Sequence, residues 1–248
     1  MTDEPRVVSL APSATATLAA MEAADCLVGV TTHCDLDRPA VGGWLNPALD
    51  RLADLAPDVV CTCDDLQAEI RDDLRDRGYE VVHTAPTTLA ETLETFETLG
   101  RAVGRPEAGR RLEADARRRL DRIATHVDGR ERPVVYCEEW SDPPMAAGNW
   151  VPDAVEVAGG TYPFVDAGDR SREVSAATVT AADPDHVVLH VCGRGDRVDP
   201  GVVADRGWDL DAAVHVVDDA LLNQPSPRLL DGVETLAELL HGPLPTGR

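Results

Sequence analysis

The chain has 248 residues, the length of one large domain or two small ones at roughly 100–200 residues each, and with 43% hydrophobic residues it can bury a core. Its 45 acidic residues against 23 basic ones, every one of them arginine, give a formal charge of −22; such a surface repels polyanions and excludes nucleic acid or an anionic membrane face as a partner. At molar salt, where the Debye length is about 3 Å, most of that self-repulsion is screened, so the composition reads as a halophile's and carries no information about a ligand.

In chain order, Arg6-Val7-Val8-Ser9-Leu10 reads as a strand, an alanine-rich helix follows from about Ala14 to Ala24, and Cys26 to Val30 is a second strand. Asp58 to Cys61 is a third, a charged helix runs from about Leu66 to Arg77, and Glu80 to His83 is a fourth. Helical spacing of Leu89, Leu93, Phe96 and Leu99, then of Leu112, Leu120 and Ile123, predicts one helix to about Leu99 and a longer one from Pro106, which suits a first turn, to about His126. The alternation then restarts: strands at Val134–Cys137, Asp185–Leu189 and Val214–Val217, a helix over Val151–Ala158 ended by Gly159-Gly160, and an amphipathic helix from Arg228 to Leu240.

This βαβ rhythm predicts an α/β fold with mainly parallel sheets. Val7-Val8 and Val134-Val135 lie 127 residues apart, and so do Pro57-Asp58 and Pro184-Asp185. One offset for two kinds of element predicts two Rossmann-like lobes, 1–100 and 131–248, joined by a long helix within 101–130, with a ligand cleft between lobes. Ligands of open α/β sheets sit outside the carboxyl ends of the strands, so function is expected just after each strand.

The residues at those places are Ser13 at a helix start, as an N-cap or as a ligand group; His33 and Cys34, with Trp44 beyond; Cys61, Cys63 and Asp65; Glu138, Glu139 and Trp140; Asn149 and Trp150; and Cys192. Aromatic residues make up only 4% of the chain, yet Trp44, Trp140 and Trp150 all fall in predicted loops, as walls for a large flat ligand or as plugs between the lobes. Glu138 and Glu139 are adjacent on an extended segment and point opposite ways, so they are not an acid/base pair. A metal set could be drawn from His33, Cys34, Cys61 and Cys63, but C-x-x-C pairs are missing and no metal is expected. G-x-S-x-G, P-loop and G-x-G-x-x-G motifs are absent as well, so no enzyme is expected.

No stretch approaches ~18 apolar residues, which excludes membrane insertion by a helix. Met1 to Arg6 is acidic and opens directly into a strand, without the basic-then-apolar pattern of a leader. The expectation is therefore a cytoplasmic protein with six free thiols, or an extracytoplasmic one if the natural chain starts earlier.

Taken together, Arg6 to Thr15, Val28-Gly29-Val30-Thr31, Leu52 to Val60, Glu139-Trp140, Ala147 to Pro152, Ala158-Gly159-Gly160, Ser171 to Ser175, and Asn223 to Gly232 resemble the cobalamin and ferric-siderophore solute-binding proteins of ABC importers, closest to the cobalamin branch. The resemblance implies a monomeric two-lobed protein with a stiff interlobe helix and a corrinoid, or a similar metal chelate, as ligand. It implies tryptophan walls, with Ser13, Asn149, Arg172 and Asn223 among the ligand contacts and no covalent cofactor. Relatives that deliver cargo present one glutamate per lobe to permease arginines. Glu69 fits the first, whereas Ala176-Ala177-Thr178 stands where the second is expected. The alternative is a cytoplasmic corrinoid- or metal-handling protein, using Cys34, Cys61, Cys63, Cys137 or Cys192, that docks no permease.

Overall fold

A computed structural model describes residues 4–244. The chain gathers into two units, one to Pro86 with Glu91–Ala116, the other Thr87–Ala90 with Arg117 onward. The change-over at Ala116–Arg117 falls inside a helix.

The first unit holds β1 (Val7–Ser9), β2 (Leu27–Val30), β3 (Val59–Cys63) and β4 (Val81–Thr84) in the order β2-β1-β3-β4, every neighbour parallel. β1 is buried along its whole length, as a strand covered on both faces must be, and this explains its run of apolar residues. Five helices go with this part of the chain: α1 (Pro12–Ala20), α2 (Leu49–Asp54), α3 (Ala68–Asp76), α4 (Leu89–Ala102) and α5 (Pro106–Val127).

α1 starts two residues earlier than predicted. Pro12, which needs no N–H partner and has a helical φ, begins it behind Ala11, so Ser13 lies in the first turn and is not the N-cap. The helix also ends sooner, at Ala20, before Glu22 takes a left-handed φ of 58°. α4 and α5 come close together where α5 carries Gly109, since a Cβ there would stand 2.5 Å from the Phe96 carbonyl oxygen.

The second unit holds β5 (Val135–Ser141), β6 (Pro144–Ala146), β7 (Arg172–Glu173), β8 (His186–Leu189) and β9 (Ala213–Val216) in the order β7-β6-β5-β8-β9. β5, β8 and β9 are parallel; β6 and β7 add an antiparallel edge. Helices α6 (Val151–Val157), α7 (Ala176–Ala182), α8 (Val202–Asp205) and α9 (Arg228–His241) complete it. β6 was not foreseen. Its pairing with β5 keeps Glu138, Glu139 and Trp140 in a strand, where a loop was predicted.

The 127-residue repeat has a physical counterpart in each unit. Ala56 (φ 42°) and Asp183 (φ 48°) turn the chain into Pro57-Asp58 and Pro184-Asp185. Asp58 Oδ2 accepts the Arg6 N–H at 2.7 Å, and Asp185 Oδ2 accepts the Val134 N–H at 2.7 Å. The aspartate N–H groups answer with bonds of 2.8 and 2.9 Å to the same two residues' carbonyls. Each clamp fixes where one parallel strand starts against its neighbour, β1 against β3 and β5 against β8.

Asp58→Ala and Asp185→Ala should each lower stability by about 1–2 kcal/mol, measured by urea denaturation at constant salt, because each removes a charge-assisted bond to a backbone N–H. A change below about 0.3 kcal/mol at both positions would show that the clamps do not set the register.

Candidate functional site

In the first unit, the segments that follow the strands are tied together by Gln67, which is fully buried. Its amide donates to the Leu10 carbonyl at 2.9 Å and the Trp44 carbonyl at 2.7 Å, and its oxygen accepts the Cys63 N–H at 2.8 Å. Sequence reasoning passed over this residue. Its only signal is rarity, as one of two glutamines in the chain, set between Asp65 and Glu69.

Ser13 is buried, with its side chain bonded to the Cys63 thiol, which burial raises above its usual range. Cys34 Sγ lies 3.2 Å from Thr15 Oγ1 and 3.3 Å from Thr31 Oγ1. His33 and Asp65 are exposed and Trp44 is half-buried. Glu69 is exposed in the first turn of α3. Cys61 lies in the sheet interior, where burial pushes its thiol up to about 12. The four suggested metal ligands are therefore not brought together: Cys61 is in the sheet, Cys34 between two threonines and His33 in water. Among the described residues no three His, Cys, Asp or Glu side chains are grouped so as to hold a metal ion.

In the second unit, Glu138 has no exposed surface. Arg206 grips both its oxygens at 2.6 and 2.8 Å, and the Tyr136 hydroxyl (3.0 Å) and Ser141 Oγ (2.7 Å) each donate one further bond. A carboxylate this dry is tolerated only when its charge and its lone pairs are met in this way. Arg206 also donates to the Ser141 carbonyl at 3.0 Å and stacks over Trp208, 4.8 Å from the ring centre.

Glu139 turns the other way, as alternation requires. Burial raises its carboxyl above the ordinary range while the Ser171 hydroxyl bonds to it and opposes that shift. Ser171 Oγ in turn accepts the Gly148 N–H at 2.9 Å. Gly148 passes so close to the chain that a Cβ would fall 2.3 Å from the Asp169 carbonyl oxygen, which explains a glycine next to Asn149. Asn149 adopts φ 53° and bonds through its N–H to the Asp169 carbonyl at 2.5 Å.

The two tryptophans of this region take opposite roles. Trp140 is 48% exposed, and its ring is fixed by an Nε1–H bond of 2.9 Å to the Asp142 carbonyl. Trp150, expected as a ligand wall, is only 7% exposed, donates to the Leu222 carbonyl at 2.7 Å, and packs with residues of α6 and α9. It is a core residue here, because α6 begins directly after it and carries it inward. Arg172 is exposed on β7 and donates to the Phe164 carbonyl.

Beyond β8 the chain is held by Asp219, whose carboxylate accepts the N–H groups of both Gly193 and Gly195 at 2.8 Å. Asn223 donates to the His190 carbonyl (3.0 Å) and to Cys192 Sγ (3.1 Å), and its oxygen meets His190 Nδ1. This pinned segment and the β5–β6 turn border a cavity of about 530 Å³. Trp140, Cys192, Arg194 and Arg197 line it, along with Asp142, Asp199 and the apolar Val191, Val198 and Val202. Trp140 and Cys192 were predicted as site residues and Asn223 stands one bond behind them. The two arginines were not predicted, since a lone Gly-Arg-Gly carries no recognisable spacing.

The profile of a family described as periplasmic binding protein matches residues 7–215. A vitamin B12-binding protein of Vibrio cholerae is 27% identical over 255 residues, covering 95% of this chain and 88% of its own. A cobalamin-binding protein of Halobacterium salinarum is 28% identical over 258 residues, covering 95% of this chain and 69% of its own, in keeping with the acidic, halophile-like composition. The crystal structure of the periplasmic vitamin B12 binding protein of Vibrio cholerae has the same fold, with a TM-score of 0.78 at 24% identity and 96% of each chain covered. These matches overturn the expectation of a cytoplasmic protein, which rested only on the acidic first residues: the family and the matching structure are periplasmic by description.

His190 is fully buried, its Nε2 has no partner, and burial holds its pKa down to about 4. Between pH 6.5 and about 4 the unfolded chain takes up a proton that the folded chain refuses, so stability is full above that window and falls as pH drops through it. Denaturation at fixed salt should show up to roughly 3 kcal/mol of such loss, and His190→Gln should flatten the slope.

Proposed function

The chain belongs to the periplasmic binding protein family, and from that premise we propose that it is an extracytoplasmic solute-binding protein whose ligand is a corrinoid. The observation that carries this reading is Trp140, an indole in a chain poor in aromatics, left half in solvent and locked by its own N–H against a 530 Å³ cavity. An indole held half exposed leaves apolar ring surface unburied, and it gives a large apolar ring system a face to lie on. The cavity also offers Cys192, whose Sγ accepts from Asn223, and two guanidiniums, which Asp219 leaves unengaged while it holds the segment in place. A cavity of this size takes part of a corrinoid, whose apolar edges and amide arms match a mixed apolar and polar lining.

The names of the Vibrio and Halobacterium relatives support the same ligand class. The reading extends to ABC-type uptake, with the exposed Glu69 on α3 as one permease contact. In the second unit, Ser175 caps α7 by accepting the Thr178 N–H at 3.1 Å, so the segment expected to carry a second docking acid is an uncharged helix start.

Titration with cyanocobalamin in molar salt, followed by tryptophan emission, should give saturable quenching with a Kd in the micromolar range or tighter. Trp140→Ala should weaken it about tenfold or more, as loss of a central aromatic anchor does. Absence of quenching at tens of micromolar ligand, or tighter binding of haem or a ferric siderophore, would overturn the corrinoid assignment.

A further inference from the structure

The chain has nearly two acids for each arginine and uses them freely. Arg110 meets Glu97 and Glu107, Arg119 meets Asp231 and Glu234, and Arg206 meets Glu138. Arg194 and Arg197, like the exposed Arg111, Arg122 and Arg228, form no such ion pair among the described residues, and it is their position that sets them apart. Among the described residues the Arg194 guanidinium makes no hydrogen bond or ion pair, and Arg197 uses only Nε, on the Arg194 carbonyl at 3.2 Å. Both border the cavity beside Trp140. We infer that this arginine pair is a monoanion-reading subsite for the phosphodiester in the nucleotide loop of a complete cobalamin-type corrinoid, which rests on the corrinoid reading above.

Three observations narrow the ligand chemistry to that group. First, the backbone amides of Gly193 and Gly195, which would otherwise cradle an anion, are already taken by Asp219, so recognition falls to the side chains of this segment. Second, the same cavity carries Asp142 and Asp199, the latter with Oδ1 on the Gly201 N–H at 2.9 Å. The two carboxylates cancel the two guanidiniums, so the cavity has no net pull on anions and repels a polyanion most; a singly charged group in direct contact with the arginines meets the least repulsion. Third, in molar salt long-range attraction is screened within about 3 Å, so only direct contact retains value, and a planar guanidinium fork fits the two free oxygens of a phosphodiester. Trp140 supplies the neighbouring face for the ring system that carries that group.

The test compares three corrinoids on the wild-type protein and on Arg194→Gln/Arg197→Gln, by tryptophan quenching at constant high salt. Cyanocobalamin carries the phosphodiester, dicyanocobinamide lacks it, and cobyric acid has one free carboxylate in its place. The wild type should prefer cyanocobalamin over dicyanocobinamide by about tenfold, and the double variant should bring that ratio to about one, while Arg194→Lys/Arg197→Lys retains part of it. A wild-type ratio near one, or a ratio that survives in the glutamine variant, overturns the subsite and leaves the corrinoid reading standing. An equal arginine-dependent gain for cobyric acid overturns the phosphodiester assignment in favour of a carboxylate. Failure of the wild type to bind any of the three overturns the corrinoid reading and the subsite with it.

Discussion

Glu138 and Arg206, 68 residues apart in sequence, form the contact on which the second unit's functional edge is built. Stripping water from a carboxylate is so costly that every oxygen lone pair must be met, and here four bonds meet them. Meeting them dictates local geometry: Tyr136 must lie two residues back on the same face of β5, Ser141 must curl back at the strand's end, and α8 must end where Arg206, directly after it, reaches the carboxylate. The turn that presents Trp140 and the segment that closes the cavity are therefore positioned by one buried charge. Removing either partner alone would leave the other uncompensated, a loss of about 3–5 kcal/mol in comparable buried pairs.

The two units solve a shared problem with different side chains. Where parallel strands end, the backbone groups that follow have no ladder partner and need one. Gln67 supplies it in the first unit by joining three segments through a single amide. In the second, Asp219 and Asn223 divide the task, Asn223 also donating to Cys192, and leave the Arg194 guanidinium to face the cavity. The starts of the strands, by contrast, are handled identically, by an aspartate after a proline after a left-handed residue.

That contrast explains what could be read from the sequence. Strand starts are local: Pro57-Asp58 and Pro184-Asp185 carry their own geometry, so the repeat, the parallel strands, and α4 and α5 were visible in spacing alone. Strand ends depend on partners far along the chain. Nothing near Glu138 announces Arg206, and nothing near Trp44 announces Gln67. Trp150 was misplaced for the same reason, since loop position does not tell whether a helix will swing the ring into a core made by α9, whereas Trp140, held by Asp142 two residues on, stays half exposed beside the cavity.

The carboxylate of Asp219 also sets how the cavity edge responds to solvent composition. Two glycine N–H groups converging on a point make a receptor for any small anion, and in brine the commonest small anion is present at enormous excess. An unoccupied receptor would be filled or emptied as salinity changed, and the segment from Cys192 to Arg197 would shift with it. By carrying its own tethered anion, the chain removes that site from competition. The shape of the cavity edge is then set by the sequence and not by the salt around it.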